Sequence, residues 1–309
     1  MYDDTHSATP VLSDELGSID FAWYLACKPF LAAKDAQIVD RIATEIRRTS
    51  HATPGSLSLL DVGSGEASLI EAVSNRLVRS LPATSNPARQ VQVDCVEPSP
   101  EGQVFIRGVA ERLAEQKVDL ALFPNTIEEF LKSSRAKYNA IICCHALYHI
   151  PEHTWVDLIH GLLDAVDSEG LLLVDLVSRT SEIYRLLDDI EPIIQRESLP
   201  RTFDSCGELR FAEDFKAVLG SIGCKWTCQA IRAPVMFPKS LVREGARSLA
   251  AGEACDSVLI QFIAFMLRLR PDDLAATARE PLGKLLTPNR GTLTFRFVDH
   301  LYILRKGNR

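Results

Sequence analysis

LLDVGSGEASL, Leu59 to Leu69, is the stretch whose reading decides the fold. An apolar run, Leu57–Val62, reads as a buried strand. It breaks at Asp61 into Gly63, Ser64 and Gly65, and a helix-patterned segment follows from Ser68. Strand, glycine turn and helix in that order form the first half of a parallel crossover unit. In an open parallel sheet, ligands bind beyond the carboxyl ends of the strands, near the point where strand order reverses. Glycine suits such a turn because it allows close backbone approach and positive φ. Gly63 and Gly65 are therefore expected to floor a ligand site; a plain strand-to-helix turn is the alternative. The third glycine of the dinucleotide fingerprint would fall at Ser68, so the turn fits a pyrophosphate poorly.

The pattern repeats outward from this stretch. Expected helices are Ser68–Ser80, Glu101–Gln116, Ile127–Ser133 and His153–Ala165; expected strands are Val91–Val96, Val118–Phe123, Tyr138–Cys144 and Gly170–Val177. LPATSNPAR, Leu81–Arg89, reads as a loop. Alternating strands and helices predict an α/β fold with a mostly parallel sheet, helices on both faces and right-handed connections. AIICC and LLLVDLV show no inside–outside alternation, as expected of strands covered on both sides. Upstream, residues 1–17 read as a loose leader, and Phe21–Arg48 as one or two helices interrupted near Pro29. After residue 180 the rhythm changes. Glu182–Arg196 and Glu213–Ile222 look helical, Cys224–Phe237 alternates like a strand, and Leu241–Ala251, Asp256–Arg268 and Asp272–Leu286 look helical. Gly291–Lys306 returns to strand.

The chain has 309 residues, 46% hydrophobic and 24% charged, with a net charge of −7 and a pI near 5.6. The acidic balance argues against binding duplex nucleic acid and against a polybasic membrane anchor. It suits a small-molecule ligand. The polar start, MYDDTHSATP, has no signal-peptide character, and no apolar run reaches membrane-span length, so a cytoplasmic protein is expected. The eight cysteines include Cys143 and Cys144 inside an apolar run, and Cys224 and Cys228 lack zinc-site spacing; no metal is expected.

The second strand ends in VDCVEPSP, with Glu97 at its carboxyl tip. An acid there is placed to accept hydrogen bonds from ribose hydroxyls, although its lag behind the glycine turn exceeds the usual twenty or so residues. The loop at 81–89 accounts for the excess.

LLDVGSGEASL, VEPSPEG, YNAIICCHALYHIP and GLLLVDLVS together resemble the ordered motif series of class I S-adenosylmethionine-dependent methyltransferases. KPFLAAKDAQ in the leader helix, EPS, LYHI and the closing TFRFVDHLYIL further resemble the histamine N-methyltransferase group. The resemblance implies a Rossmann-like sheet of seven strands with the last one antiparallel, a helical N-terminal lid and a C-terminal helical insert. Residues 1–50 would be leader and lid, and 51–309 the catalytic domain, with 178–223 and 238–290 as substrate-side helical insertions. It implies S-adenosyl-L-methionine as cofactor. Asp61, Gly63, Ser64 and Gly65 would touch its methionine part and Glu97 its ribose, with Gln103 nearby. Asn125 and Thr126 would lie beside the adenine, and Cys144 and His145 would border the cofactor after the fourth strand.

For the methyl acceptor, CCHALYHIP offers His145, Tyr148 and His149. The histamine-type enzymes have a polar residue matching His145 that touches substrate. Here it is a histidine, which allows a proton-accepting role. Packing of Tyr148 and helix capping by His149 are the alternatives. Asp35 lies near the family's acid for the substrate ammonium, after a one-residue gap; an ordinary exposed aspartate is the other reading. Trp23, Tyr24 and Phe30 would supply aromatic walls or pack in the core. The family's substrate-contacting amide on the last strand is absent, and Asp299 and His300 are the nearest polar candidates.

The expectation is thus a small-molecule methyltransferase, acting on nitrogen of an amine, amino-acid derivative or imidazole-like metabolite. A monomer is expected, with a homodimer as the alternative. An oxygen- or carbon-methyltransferase of secondary metabolism, a catalytically silent cofactor binder and an NAD-dependent oxidoreductase are the competing readings. The missing third glycine weakens the last.

Overall fold

The computed structural model describes residues 14–50, 56–80, 91–197, 209–287 and 291–306; in the first helix it describes the side chains of Leu25 and of residues 27–49. Trp23 and Tyr24 lie on that helix, but their side chains fall outside the described residues, as do residues 1–13 of the leader and the loop 81–90.

The strands are β1 (Leu57–Val62), β2 (Val91–Val96), β3 (Val118–Phe123), β4 (Tyr138–Cys144), β5 (Val166–Val177), β6 (Lys225–Phe237) and β7 (Leu293–Arg305). They form one sheet in the order β3-β2-β1-β4-β5-β7-β6. β1 to β5 are parallel, and β7 runs antiparallel to both β5 and β6. The expected pair of long closing strands is therefore present, with β7 placed between β5 and β6. This is the seven-stranded α/β sheet, with its last strand reversed, that the motif order implied. The order reverses at β1: β2 and β3 extend to one side and β4 opens the other, and open parallel sheets bind ligands beyond the carboxyl ends of the strands at such a reversal.

The helices are α1 (Asp14–Ser50), α2 (Ser68–Ser80), α3 (Pro100–Ala114), α4 (Ile127–Ser133), α5 (Trp155–Ala165), α6 (Arg185–Glu197), α7 (Ala212–Ile222), α8 (Lys239–Ala251), α9 (Val258–Leu267), α10 (Pro271–Thr277) and α11 (Arg279–Leu285). One face of the sheet packs Ile70 and Val73 of α2 with Ile106 and Val109 of α3. The other packs Phe130 of α4, Trp155 and Leu158 of α5 and Phe215 of α7. Both faces of the central strands are thus covered, which explains why AIICC and LLLVDLV are apolar without alternation.

α1 differs from expectation. It is a single helix from Asp14 that runs through Pro29, where one or two helices and a leader reaching residue 17 were expected. Proline removes a single helical hydrogen bond. Tertiary packing on both sides offsets that loss: Cys27 and Leu31 enter one core, and Ile38, Ile42 and Ile46 enter the other. The helix thereby bridges the two faces of the sheet. Further along, the expected strand at Gly170–Val177 begins earlier, at Val166, and the expected helix Asp272–Leu286 divides into α10 and α11.

Candidate active site

At the end of β1, Gly63 (φ 66°) and Gly65 (φ 53°) adopt left-handed backbone. Gly63 N–H donates to Val96 O at 2.9 Å, binding the turn to the end of β2. A side chain at Gly63 would be costly on two counts, the positive φ and a Cβ 2.7 Å from Ala146 Cβ. That contact shows how closely the turns after β1 and β4 approach each other. At the next strand, Glu97 is buried, and its carboxylate spans two backbone groups. Oε2 accepts from Gly65 N–H at 2.7 Å and Oε1 from Ser99 N–H at 2.9 Å. The glycine turn and the β2 acid are thus in direct contact. Gln103 donates to Glu97 O at 3.1 Å and Pro98 O at 3.2 Å. Gly102 explains why α3 starts so tightly against them: a Cβ there would meet Glu97 Cγ at 2.8 Å and Gly65 O at 2.9 Å.

The turn is electrically negative. Asp61 is buried at the end of β1, and burial pushes its carboxyl up to about 7 against a Ser64 hydrogen bond that pulls it down; Glu97 and Glu66 add to the rise. Burial, more than the neighbouring acids, is what raises it. Lys28 of α1 reaches the rim, pairing with Glu66 at 2.7 Å and Asp35 at 3.2 Å.

Beyond β4, His145 holds φ at 54°, a conformation that non-glycine residues seldom adopt and that clusters at functional sites. Its own N–H donates to Asp175 O at 3.0 Å, which fixes it against β5. The ring leaves 35% of its surface open while Nε2 faces inward, 3.0 Å from Lys34 Nζ and 3.2 Å from Asp175 Oδ2. Nδ1 lies 3.4 Å from Tyr148 OH. Lysine can only donate, so Nε2 is the acceptor and the imidazole is neutral. The crowding of its inner edge, together with the charges of Lys34 and Lys28, holds its pKa well below the ordinary histidine value. Tyr148 is buried and its hydroxyl accepts from Val177 N–H, so it supports the site from within. Arg268, from the end of α9, lies over its ring at 5.5 Å. The 238–290 segment therefore reaches the residues after β4.

Behind His145 sit two fully buried acids, Asp175 on β5 and Asp299 on β7, and one buried ammonium, Lys34 on α1. Lys34 Nζ is 2.8 Å from Asp299 Oδ2 and 3.9 Å from Asp35 Oδ1. Burial would lower Lys34, but Asp299, Asp35 and Asp175 outweigh it and hold it above its usual value. Burial and the charge of Asp299 push Asp175 well up, so that it tends to keep its proton. The ligating atoms of His145, Asp175 and Asp299 lie within 4.8 Å of one another, close enough to hold a metal ion. Lys34 already contacts two of the three, and its charge opposes a divalent ion there.

The remaining expected residues are more peripheral. Asn125 and Thr126 are exposed after β3, and Thr126 is engaged in a capping box with Glu129 that starts α4. Cys144 is half-buried, with burial and nearby acids keeping its thiol protonated. His149 is the exposed last residue of a 3-10 turn whose Leu147 and Tyr148 are buried. Asp35 is half-buried at the rim, bound by Lys28. Phe30 packs its ring 4.7 Å from that of buried Phe237 and so belongs to the core. His300 falls on the opposite face of β7 from Asp299, because adjacent strand residues alternate, and its ring faces Tyr302.

No protein-family model matches the chain, and no curated protein sequence matches it. Solved structures do resemble it in fold. The cyclopropane synthase MmaA2 from Mycobacterium tuberculosis is 12% identical, with 85% of this chain and 83% of that one covered and a TM-score of 0.47. Magnesium protoporphyrin IX methyltransferase (ChlM) from Synechocystis PCC 6803, with SAH bound, is 13% identical, with 94% of each chain covered and a TM-score of 0.48. Both similarities are distant, and the account of the site rests on this chain's own residues.

Sequence reasoning missed Lys34, Asp175, Lys28 and Gly102. Asp175 carried a readable signal: an acid at the centre of LLLVDLV, on a strand covered on both faces, needs a buried partner. Lys34, in AAKDAQ, carried none.

Proposed function

We propose that this protein is an S-adenosylmethionine-dependent methyltransferase acting on a small molecule, and that it methylates a nitrogen of an amine, an amino-acid derivative or an imidazole-like metabolite. The observation that carries the reading is the bond from Gly65 N–H to the Glu97 carboxylate. It joins a glycine turn and a strand-end acid at the crevice where the strand order reverses. The electrostatics support the same ligand. Three acids, Asp61, Glu66 and Glu97, surround the turn, and the burial of Asp61 asks for a cation; the dianionic pyrophosphate of NAD would be repelled.

Asp61, Gly63, Ser64 and Gly65 would hold the methionine end of the cofactor. Each Glu97 oxygen accepts one backbone N–H and keeps a second acceptor position for a ribose hydroxyl. Asn125 and Thr126 would flank the adenine, and Cys144 and His145 the sulfur end. When bound, the cofactor supplies a methyl group on a sulfonium, already activated for in-line displacement. The chain's part is alignment and exclusion of water, which α1 serves as a lid across the sheet. An ammonium has no lone pair to methylate, so a nitrogen acceptor must arrive neutral or lose its proton first; neutral His145, with its ring partly open, would serve as the proton acceptor. The likeness to histamine-type enzymes rests on sequence strings alone, and that group's amide on the last strand has no counterpart here, Asp299 and His300 being the nearest polar residues.

Calorimetric titration with S-adenosylhomocysteine tests the cofactor and should show saturable binding; binding of NAD alone would overturn the reading. Labelled S-adenosylmethionine with a panel of amines, phenols and indoles should label amines. Labelling of phenols or indoles alone would move the reaction to oxygen or carbon, and binding without any turnover would make the protein a silent binder.

A further inference from the structure

Asp175 and Asp299 are fully buried, yet both oxygens of Asp175 and Oδ1 of Asp299 have no hydrogen-bond partner. A buried carboxyl oxygen without a partner is costly, and three gathered beside a single ammonium leave the cluster short of hydrogen-bond partners. Lys34 meets the shortage in part: its Nζ reaches Asp299 Oδ2 at 2.8 Å and His145 Nε2 at 3.0 Å. Three properties fit this place to a primary ammonium group. Its acceptors converge, its two acids outnumber its one ammonium, and the nitrogen of His145 must accept rather than donate. Lys34 also has a second seat, because Asp35 Oδ1 is 3.9 Å from its Nζ at the half-buried rim. The partly open ring of His145 forms the outer wall of the cluster.

We propose that Asp175, Asp299 and His145 form the anchoring site for a primary ammonium group of the methyl acceptor, and that Lys34 is a resident occupant which the acceptor displaces toward Asp35. The proposal rests on the methyl-transfer reading for the word acceptor; the ammonium site itself stands on the cluster. It makes Lys34 a specificity device. A neutral acceptor cannot expel a charged lysine from two buried acids, so only a cationic one opens the site.

The test replaces Lys34 by a smaller residue and returns the ammonium from solution. Lys34→Ala should unfold at a lower temperature than the wild type, and n-propylammonium chloride should restore the midpoint saturably. Sodium chloride at equal ionic strength and 1-propanol should not. The variant should bind the probe about tenfold more tightly than the wild type, since no resident ammonium competes. Asp299→Asn in the same background should abolish the restoration. A folded Lys34→Ala that ignores propylammonium overturns the proposal, and so does equal restoration by magnesium chloride, which would make the cluster a metal site. If Lys34→Ala does not fold, the wild type decides: propylammonium at higher concentration should raise its midpoint and Asp299→Asn should lose that response, whereas an indifferent wild type overturns the proposal. S-adenosylhomocysteine titrations on the same proteins keep the two readings apart. Cofactor binding without propylammonium rescue sinks the ammonium site alone, and rescue without cofactor binding sinks methyl transfer alone.

Discussion

Glu97 Oε2 accepts a 2.7 Å hydrogen bond from the N–H of Gly65, 32 residues earlier in the chain. One bond therefore ties the tip of β2 to the turn after β1, and Oε1 extends the tie to Ser99 at the start of α3. The acid that would hold a ribose is also the brace of the loop that would hold the rest of the cofactor.

Removing that brace should cost both functions. Glu97→Ala is expected to weaken S-adenosylhomocysteine binding by about 1–3 kcal/mol, the worth of charge-assisted hydrogen bonds lost from a buried site. Calorimetry measures it, and unchanged affinity would remove Glu97 from the cofactor site.

The two glycines of the turn should respond unequally. Both hold positive φ, but only at Gly63 would a Cβ collide, 2.7 Å from Ala146 Cβ; at Gly65 nothing lies within 4 Å. Gly65→Ala should cost about 1 kcal/mol of stability from backbone strain alone. Gly63→Ala should cost about 1–3 kcal/mol more, because the turns after β1 and β4 must separate. Denaturant unfolding gives both values, and equal costs would mean that the close approach is not real.

Asp61 sets a pH dependence. Burial raises its pKa from 3.8 to about 7, so between those values the folded chain holds a proton that the unfolded chain has released. The contribution is fully present below the unfolded pKa and is lost as pH rises through the window, levelling above about 7. Asp61→Asn should abolish a loss of up to about 4 kcal/mol across that range. The α-ammonium of the methionine end would favour the carboxylate, so binding of S-adenosylhomocysteine near pH 6 should release a proton. Calorimetry in buffers of different ionisation heat detects it, and proton uptake would contradict the placement of Asp61.

His145→Ala should lower turnover far more than S-adenosylhomocysteine affinity, since the ring faces Lys34 and Asp175 rather than the glycine turn. Its φ of 54° adds a separate expectation. His145→Gly should unfold at a higher temperature than His145→Ala, because glycine adopts that backbone without strain. Equal loss of turnover and affinity would remove the acceptor-side role of His145 and leave it a cofactor contact alone.

Lys34 helps to hold His145 neutral through its charge, second only to burial. Lys34→Met keeps the apolar stem and deletes that charge. The His145 imidazole should then titrate at higher pH than in the wild type, as followed by NMR of the ring protons. An unmoved or lowered pKa would show that Lys34 does not act on it.

The sequence by itself determined the sheet and the glycine turn of the candidate site. Apolar runs without alternation marked the strands covered on both faces, the glycines of DVGSGEA marked a turn that needs positive φ, and Glu97 was legible because it ends a strand. These signals act over a few residues, where periodicity and turn chemistry are decisive. Even Pro29 misled only locally, by suggesting a break that packing on two cores overrode. The cluster around His145 was decided by tertiary structure alone. Lys34 meets His145 across 111 residues and Asp299 across 265. Those meetings depend on how α1 crosses the sheet and on β7 lying between β5 and β6, which sets Val177 opposite Asp299. A charge in a helix reads the same whether it ends in water or between two buried acids, because nothing in its neighbours along the chain encodes what the folded protein places above it.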